Sequence, residues 1–234
     1  MNRKLTAIAF DADDTLWQNE HFYKLTTERF AALLADHADV SILSDRLLEA
    51  EKRNLKVYGY GIKGFTLSMI ETAIQVTSGK VPADVIGAIL EAGRDMLRHP
   101  IETLPHVRET LNALAGGYRL IMITKGDLFD QERKLAESGL GDLFDAVEIV
   151  SDKSAETYRR AFARHADGPE RGMMVGNSLR SDVVPAIAAG SWGIYVPHEL
   201  NWVLEESDEP VHHAPRFRQI AHLGELPAIV AEIG

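Results

Sequence analysis

The chain of 234 residues contains no cysteine. That absence removes disulfides, thiolate nucleophiles and sulfur-ligated zinc together, and it agrees with a reducing compartment. Long hydrophobic runs are missing as well. No uninterrupted apolar stretch approaches the ~20 residues of a membrane-spanning helix. The opening MNRKLTAIAF carries two basic residues and a short apolar run that meets Asp11 too soon for a signal-peptide core. A soluble cytoplasmic protein with no membrane contact is the expectation. Basic excess is lacking too: the formal net charge is −10, with both signs interspersed. Without a basic stripe, nucleic acid is not an expected partner. The histidines form no HExxH pair, and GNSLR is not a GxSxG elbow, so neither a zinc protease nor a serine hydrolase is indicated. No internal repeat or low-complexity tract interrupts the chain. A negative protein repels phosphorylated compounds at long range, so any such ligand needs local positive charge from a metal or a lysine.

What is present is an apolar fraction of 45 %, ample for a buried core, on a length that suits one large domain or a core with an insertion. Leu5 to Phe10 reads as a buried strand ending at acidic residues. The next comparable strand is Tyr118 to Thr124. Four segments of helical spacing lie between them. The first runs from Phe22 and the second is ILSDRLLEAEKRNLKVY, with a Ser-Asp start signal. The third is GFTLSMIETAIQVTSG, stopped at Gly79, and the fourth opens at Pro82 and ends near Pro100. They suggest a small helical bundle inserted after the first strand. Beyond Pro100, ETLPHVRETLNALAG reads as a helix, and strands then alternate with helices. Strands are expected at 118–124, 146–150, 172–176 and 192–196, with helices at 128–138, 154–166 and 179–189 between them. LGELPAIVAEI closes the chain as a short helix. Such alternation means βαβ units and a parallel sheet. The expected fold is therefore α/β, a Rossmann-like parallel sheet with helices on both faces and an inserted helical cap. Residues 1–18 and 100–234 form the catalytic core in this reading, and residues 19–99 the cap.

Ligands of open α/β sheets bind beyond the carboxyl ends of the strands. Four strand ends here carry polar residues: Asp11-Ala12-Asp13-Asp14-Thr15, Thr124-Lys125-Gly126, Ser151-Asp152-Lys153, and Gly176-Asn177-Ser178 followed by Asp182. Clustered carboxylates repel unless a cation sits between them, and oxygen-only ligands favour Mg²⁺. Asp11 can offer one oxygen to a metal and attack phosphorus with the other, giving an aspartyl-phosphate. Asp13, two residues on, is placed to protonate the leaving oxygen and then activate water. Thr124 and the backbone N–H groups of Lys125 and Gly126 can hold phosphate oxygens. Lys153 supplies fixed positive charge for the transition state.

Plainer readings compete. Asp-Asp-Thr after a strand suits a helix cap. Ser178 and Ser181 read as caps rather than catalysts, and the side chain of Lys125 as pointing outward. EESDEPVHHAP reads as a polar surface loop, His212-His213 included. YGYGIKG is either an ordinary helix connection or a substrate loop. Lys52, Arg53 and Lys56 read as a solvated helix face.

FDADDTLW, IMITKG, Lys153 and MVGNSLRSD, in this order and spacing, resemble the four motifs of the haloacid-dehalogenase-like (HAD) hydrolase superfamily. The helical insertion sits where that family's type-one cap sits. The resemblance implies a Rossmann-like core, a nucleophile at Asp11 and an acid/base at Asp13. It also implies Mg²⁺ on Asp11, on the Asp13 carbonyl and on the acidic fourth motif, here Asn177 and Asp182. Capped members mostly act on small phosphorylated metabolites. One departure stands out: the fourth motif commonly begins Gly-Asp and here reads Gly176-Asn177, so a neutral ligand replaces a charged one. The expected activity is Mg²⁺-dependent hydrolysis of a phosphomonoester. The alternatives are a haloacid dehalogenase using the same aspartate, or a phosphate-binding module without turnover.

Overall fold

The computed structural model describes residues 5–200, 202, 205 and 213–234. Residues 206–212, most of the stretch that the sequence suggested as surface loop, lie outside the described residues, His212 among them. The chain divides into two compact units. One comprises Met1–Glu20, Ile101–Lys125 and Glu132–Gly234, and the other His21–Pro100 with Gly126–Gln131.

The first unit is built on six parallel strands: β1 (Ala7–Phe10), β2 (Arg119–Lys125), β3 (Ala146–Val150), β4 (Gly172–Gly176), β5 (Trp192–Tyr195) and β6 (Phe217–Gln219). Their order across the sheet is β3-β2-β1-β4-β5-β6, with every neighbouring pair parallel. The strands of a sheet covered on both faces read as unbroken apolar runs, because alternate residues meet different cores. Ile8 and Phe10 pack with Met122, Met173 and Val175 on one face. There they meet Val107 and Leu111 of α5 (Val107–Leu114) and Leu226 and Val230 of α9 (Leu226–Ile233). Ala7 and Ala9 face the other way, toward Tyr158 and Phe162 of α7 (Ala155–His165) and Ala186 of α8 (Val184–Ala188). Small residues on β1 make room for those two rings. The α/β reading therefore holds, with helices on both faces.

Three details differ from the sequence reading. Strand β6 is an addition: three residues at a sheet edge are too short to show a period of two. Helix α5 begins five residues later than expected, after His106 in a left-handed conformation (φ 67°). The helix expected at 179–189 opens instead with a π turn, Leu179–Val183, and becomes α-helical only at α8.

The second unit holds helices α1 (Glu20–Leu33), α2 (Val40–Tyr58), α3 (Ile62–Val76) and α4 (Ala83–Arg98). Phe30, Leu34, Leu43, Leu47, Phe65, Met69 and Ile89 form its own core. Helix α2 starts at Val40, after Asp39, so Ser44-Asp45 lie inside it rather than at its start. Gly126–Gln131 joins this unit, where Lys63 grips Asp127 through both carboxylate oxygens at 2.9 and 3.0 Å. Among the described residues no helix is long and apolar enough to cross a membrane.

Candidate active site

Because the strands are parallel, β1, β2 and β4 end on the same edge of the sheet, and their polar residues meet there. Asp11 follows β1, and its N–H donates to the carbonyl of Val175 on β4 at 2.9 Å, which extends the ladder by one residue. Lys153 lies just beyond β3, 5 % exposed, and its ammonium donates to Asp11 Oδ1 and to Asp182 Oδ1, the latter at 2.7 Å. The other oxygen of Asp182 accepts the N–H of Ser178 at 3.0 Å. Asp182 is wholly buried, and a Cβ on Gly176 would fall 2.2 Å from its Oδ2, so only glycine lets this carboxylate fold back over the end of β4. The π turn makes that return possible. Val183 N–H reaches the carbonyl of Ser178, five residues back, while the Ser178 hydroxyl caps the turn by accepting from Ser181 N–H. The capping expected of Ser178 is thus observed.

Electrostatics follow from this burial. Removal from water raises the Asp11 pKa to about 7; Asp182 pushes the same way and Lys153 opposes them. Burial alone would lower Lys153, but the two carboxylates override it and hold the lysine above its ordinary value.

Asp13 stands apart from that pair. Its Oδ1 accepts from Trp17 Nε1 at 2.7 Å and from Lys134 Nζ at 2.9 Å. Asp14 takes the capping role that the sequence left open for the Asp-Asp-Thr run. It adopts a left-handed conformation (φ 57°), and its carboxylate accepts from the N–H groups of Asn19 and Glu20, where α1 begins. Burial and the neighbouring Asp13 raise its pKa to about 6, against those N–H groups and His198.

Thr124, the last residue of β2 but one, is 1 % exposed, with its hydroxyl donating to the Lys125 carbonyl at 3.2 Å. Gly126 follows with φ 139°, a conformation side chains resist. The Lys125 side chain corrects the sequence reading. It points inward, to Ser181 Oγ at 2.8 Å and Glu205 Oε1 at 2.5 Å. Glu205 also accepts from the hydroxyls of Ser178 and Ser181. Burial would raise this carboxyl, yet Lys125 and the two hydroxyls hold it below the usual range. A residue read as surface loop is therefore a half-buried counter-ion.

Asn177 decides whether a hard cation suits the site. One atom of its amide lies 3.2 Å from each of three oxygens: Asp11 Oδ2, the Asp13 carbonyl and Thr15 Oγ1. With the amide oxygen at that position, it stands 3.2 Å from an Asp11 carboxylate oxygen and from the Asp13 carbonyl, oxygen donors of the kind a hard cation takes. With the nitrogen there, the amide donates to all three. Among the described residues no three acidic or histidine side chains converge as metal ligands. A donor set for Mg²⁺ here would be one carboxylate, one carbonyl and one amide. These residues fit the ion, with less negative charge than a second carboxylate would give. Asp182, grouped with them in the sequence reading, has its oxygens on Lys153 and Ser178.

The haloacid dehalogenase-like hydrolase family model matches residues 5–190. The chain belongs to this family. It is a hydrolase of the haloacid dehalogenase-like kind, as its four motifs suggested. A solved haloacid dehalogenase-like hydrolase from Xanthomonas campestris is 44 % identical, with a TM-score of 0.88 over 99 % of this chain and 93 % of that one. A glyceraldehyde 3-phosphate phosphatase of Methanothermobacter thermautotrophicus is 27 % identical, covering 84 % of this chain and 87 % of its own length. A pyrimidine 5′-nucleotidase of Escherichia coli is 24 % identical over 78 % of this chain and 82 % of its own.

Lys134, Glu205 and Asn19 were not singled out from the sequence. A signal for Lys134 existed. Asp130, Gln131, Lys134 and Ser138 of α6 (Leu128–Ser138) are all buried, so a stripe of polar residues at helical spacing faces inward. Glu205 gave no such signal, because it opens a polar run, Glu205-Glu206-Ser207-Asp208-Glu209, in which nothing sets it apart.

Proposed function

We propose that this hydrolase is a Mg²⁺-dependent phosphomonoesterase acting on a small phosphorylated metabolite. The observation that carries the reading is Asp13, a second carboxylate two residues from Asp11, held by Trp17 and Lys134. Displacing halide needs no acid for the leaving group, whereas a departing alkoxide does. The relatives named as a glyceraldehyde 3-phosphate phosphatase and a pyrimidine 5′-nucleotidase support the same choice. Residues 1–18 and 100–234 serve as the catalytic core and 19–99 as the cap that selects the metabolite. A cysteine-free composition suits the cytoplasm.

In this mechanism a carboxylate oxygen of Asp11 attacks phosphorus while the P–O bond to the leaving group breaks. Asp13 gives its proton to that departing oxygen. The aspartyl-phosphate is then attacked by water, which yields a proton to the Asp13 carboxylate as the bond from Asp11 to phosphorus breaks and inorganic phosphate leaves. Lys153 keeps Asp11 oriented and balances negative charge on the transferring group. The Thr124 hydroxyl and the N–H groups of Lys125 and Gly126 bind the phosphate oxygens. Asp11, the Asp13 carbonyl and Asn177 would hold Mg²⁺, with Asp182 adding negative charge nearby. The ion supplies positive charge beside the nucleophile. The test is phosphate release from a panel of sugar phosphates and nucleoside monophosphates, with Mg²⁺ and with chelator, beside halide release from a 2-haloacid. Mg²⁺-dependent phosphate release is expected. Halide release alone, or neither product, would overturn the reading.

A further inference from the structure

Lys134 belongs to none of the four motifs, yet it is among the more deeply buried charged residues of the first unit, 5 % exposed. A buried ammonium is costly unless good partners hold it. Its Nζ donates to Asp13 Oδ1 at 2.9 Å and to Asn19 Oδ1 at 2.8 Å, groups more than a hundred residues away in sequence. The same Asp13 oxygen accepts Trp17 Nε1 at 2.7 Å. Two donors on one oxygen fix the plane of the carboxylate. Asn19 donates its own N–H to Asp14 Oδ1 at 2.9 Å, which completes a chain of contacts from the acid through Lys134 to the start of α1.

We propose that Lys134 is a positioning residue for the general acid, holding the Asp13 carboxyl in the orientation that presents its proton to the leaving oxygen. The proposal rests on the phosphomonoesterase reading and on Asp13 as its acid. Without Lys134 the carboxylate loses one of the donors that fix its plane, and general acid catalysis requires hydrogen-bond reach to the departing atom. The effect of losing Lys134 must therefore depend on how much help the leaving group needs. A poor leaving group, such as an alkoxide, feels it strongly. An aryl oxide, stable as an anion, hardly feels it. A merely structural lysine would slow both alike.

The experiment compares the parent protein with Lys134→Met, Lys134→Arg, Asn19→Ala and Asp13→Asn in steady-state kinetics with Mg²⁺. The substrates are an alkyl phosphate that the parent hydrolyses and p-nitrophenyl phosphate. Lys134→Met is expected to lower kcat on the alkyl phosphate roughly 10–100-fold, a misplacement effect, with KM little changed and the aryl ester nearly unaffected. Lys134→Arg should recover part of the loss. Asn19→Ala, which frees one end of the lysine's anchorage, should show the same selectivity on a smaller scale. It also serves as the test if circular dichroism shows Lys134→Met to be unfolded. Equal losses on both esters, or no loss, overturn the positioning role when Asp13→Asn still discriminates between them. If Asp13→Asn does not discriminate, the acid assignment itself falls and the role of Lys134 falls with it. A parent protein that hydrolyses neither ester overturns both.

Discussion

Both units bury polar side chains, but they satisfy them in opposite ways. In the helical unit the buried hydroxyls bond within their own helix: Ser68 to Gly64, Thr72 to Ser68 and Thr77 to Ala73, each at the carbonyl four residues back, at 2.8 or 2.9 Å. At the strand ends charged groups are buried as well, and the partners of those charges come from distant parts of the chain. Lys153 joins Asp11, 142 positions away, and Lys134 joins Asp13 across 121. A hydroxyl can be satisfied by the turn behind it. A buried charge needs an opposite charge, and a helix rarely supplies one from its own backbone. Under the proposed function, long-range charge pairing marks where burial has been accepted for chemistry, and local hydroxyl pairing marks where it serves packing.

Substitutions sharpen the contrast. The largest effect belongs to Asp11→Asn. Turnover should fall to near background while circular dichroism stays that of the parent, since no other carboxylate stands at a strand end with a partner two residues on. Substantial turnover by this variant in a clean preparation would remove Asp11 as nucleophile. Asp13→Asn comes next, with a loss of ~10²–10⁴-fold on poor leaving groups that shrinks toward aryl phosphates. A loss uniform across a leaving-group series would break the acid assignment.

Asn177→Asp tests the same region more gently. An added carboxylate raises the ligand charge, so half-maximal activation should need less Mg²⁺, and calorimetric titration should show tighter binding without substrate. Asn177→Ala should shift both midpoints the other way. Three coincident midpoints would separate Asn177 from the metal. In the helical unit, by contrast, Thr72→Val should leave kcat and KM unchanged and lower stability by about 1 kcal/mol at most, the net worth of one hydrogen bond. Denaturant unfolding with parallel kinetics checks this, and a kinetic change as large as that of a strand-end variant would erase the distinction between the two regions.

Legibility in the sequence followed the same divide. The parallel sheet was readable because Leu5–Phe10, Tyr118–Thr124 and Gly172–Gly176 are apolar runs flanked by turn residues, and the polar strand ends stood out against them. Asp11, Asp13, Thr124, Lys153 and Asn177 could be named because chain order and a parallel sheet together dictate where they lie. Lys134 and Glu205 were hidden, because their importance comes from which distant carboxylate, amide or lysine each one meets. The inward turn of Lys125 was missed for the same reason: its partner Glu205 sits 80 positions on, in a stretch with no periodicity. Strand β6 escaped notice because three edge residues carry no pattern.

The π turn after Asn177 has a consequence for comparing chains. A π turn holds one residue more than the α turn it replaces, and the surplus is absorbed as a bulge without displacing the downstream helix. The interval from Gly176 to Asp182 is therefore an elastic measure. A related chain with one residue fewer can close the same gap with an ordinary turn and bring its carboxylate to the same lysine. An ungapped comparison across Leu179–Val183 would then pair Asp182 with the wrong residue and report the counter-ion of Lys153 as lost. Aligned by the buried carboxylate instead of by the count from glycine, the two chains would agree, and the insertion would stand as a change of spelling that leaves the site's meaning intact.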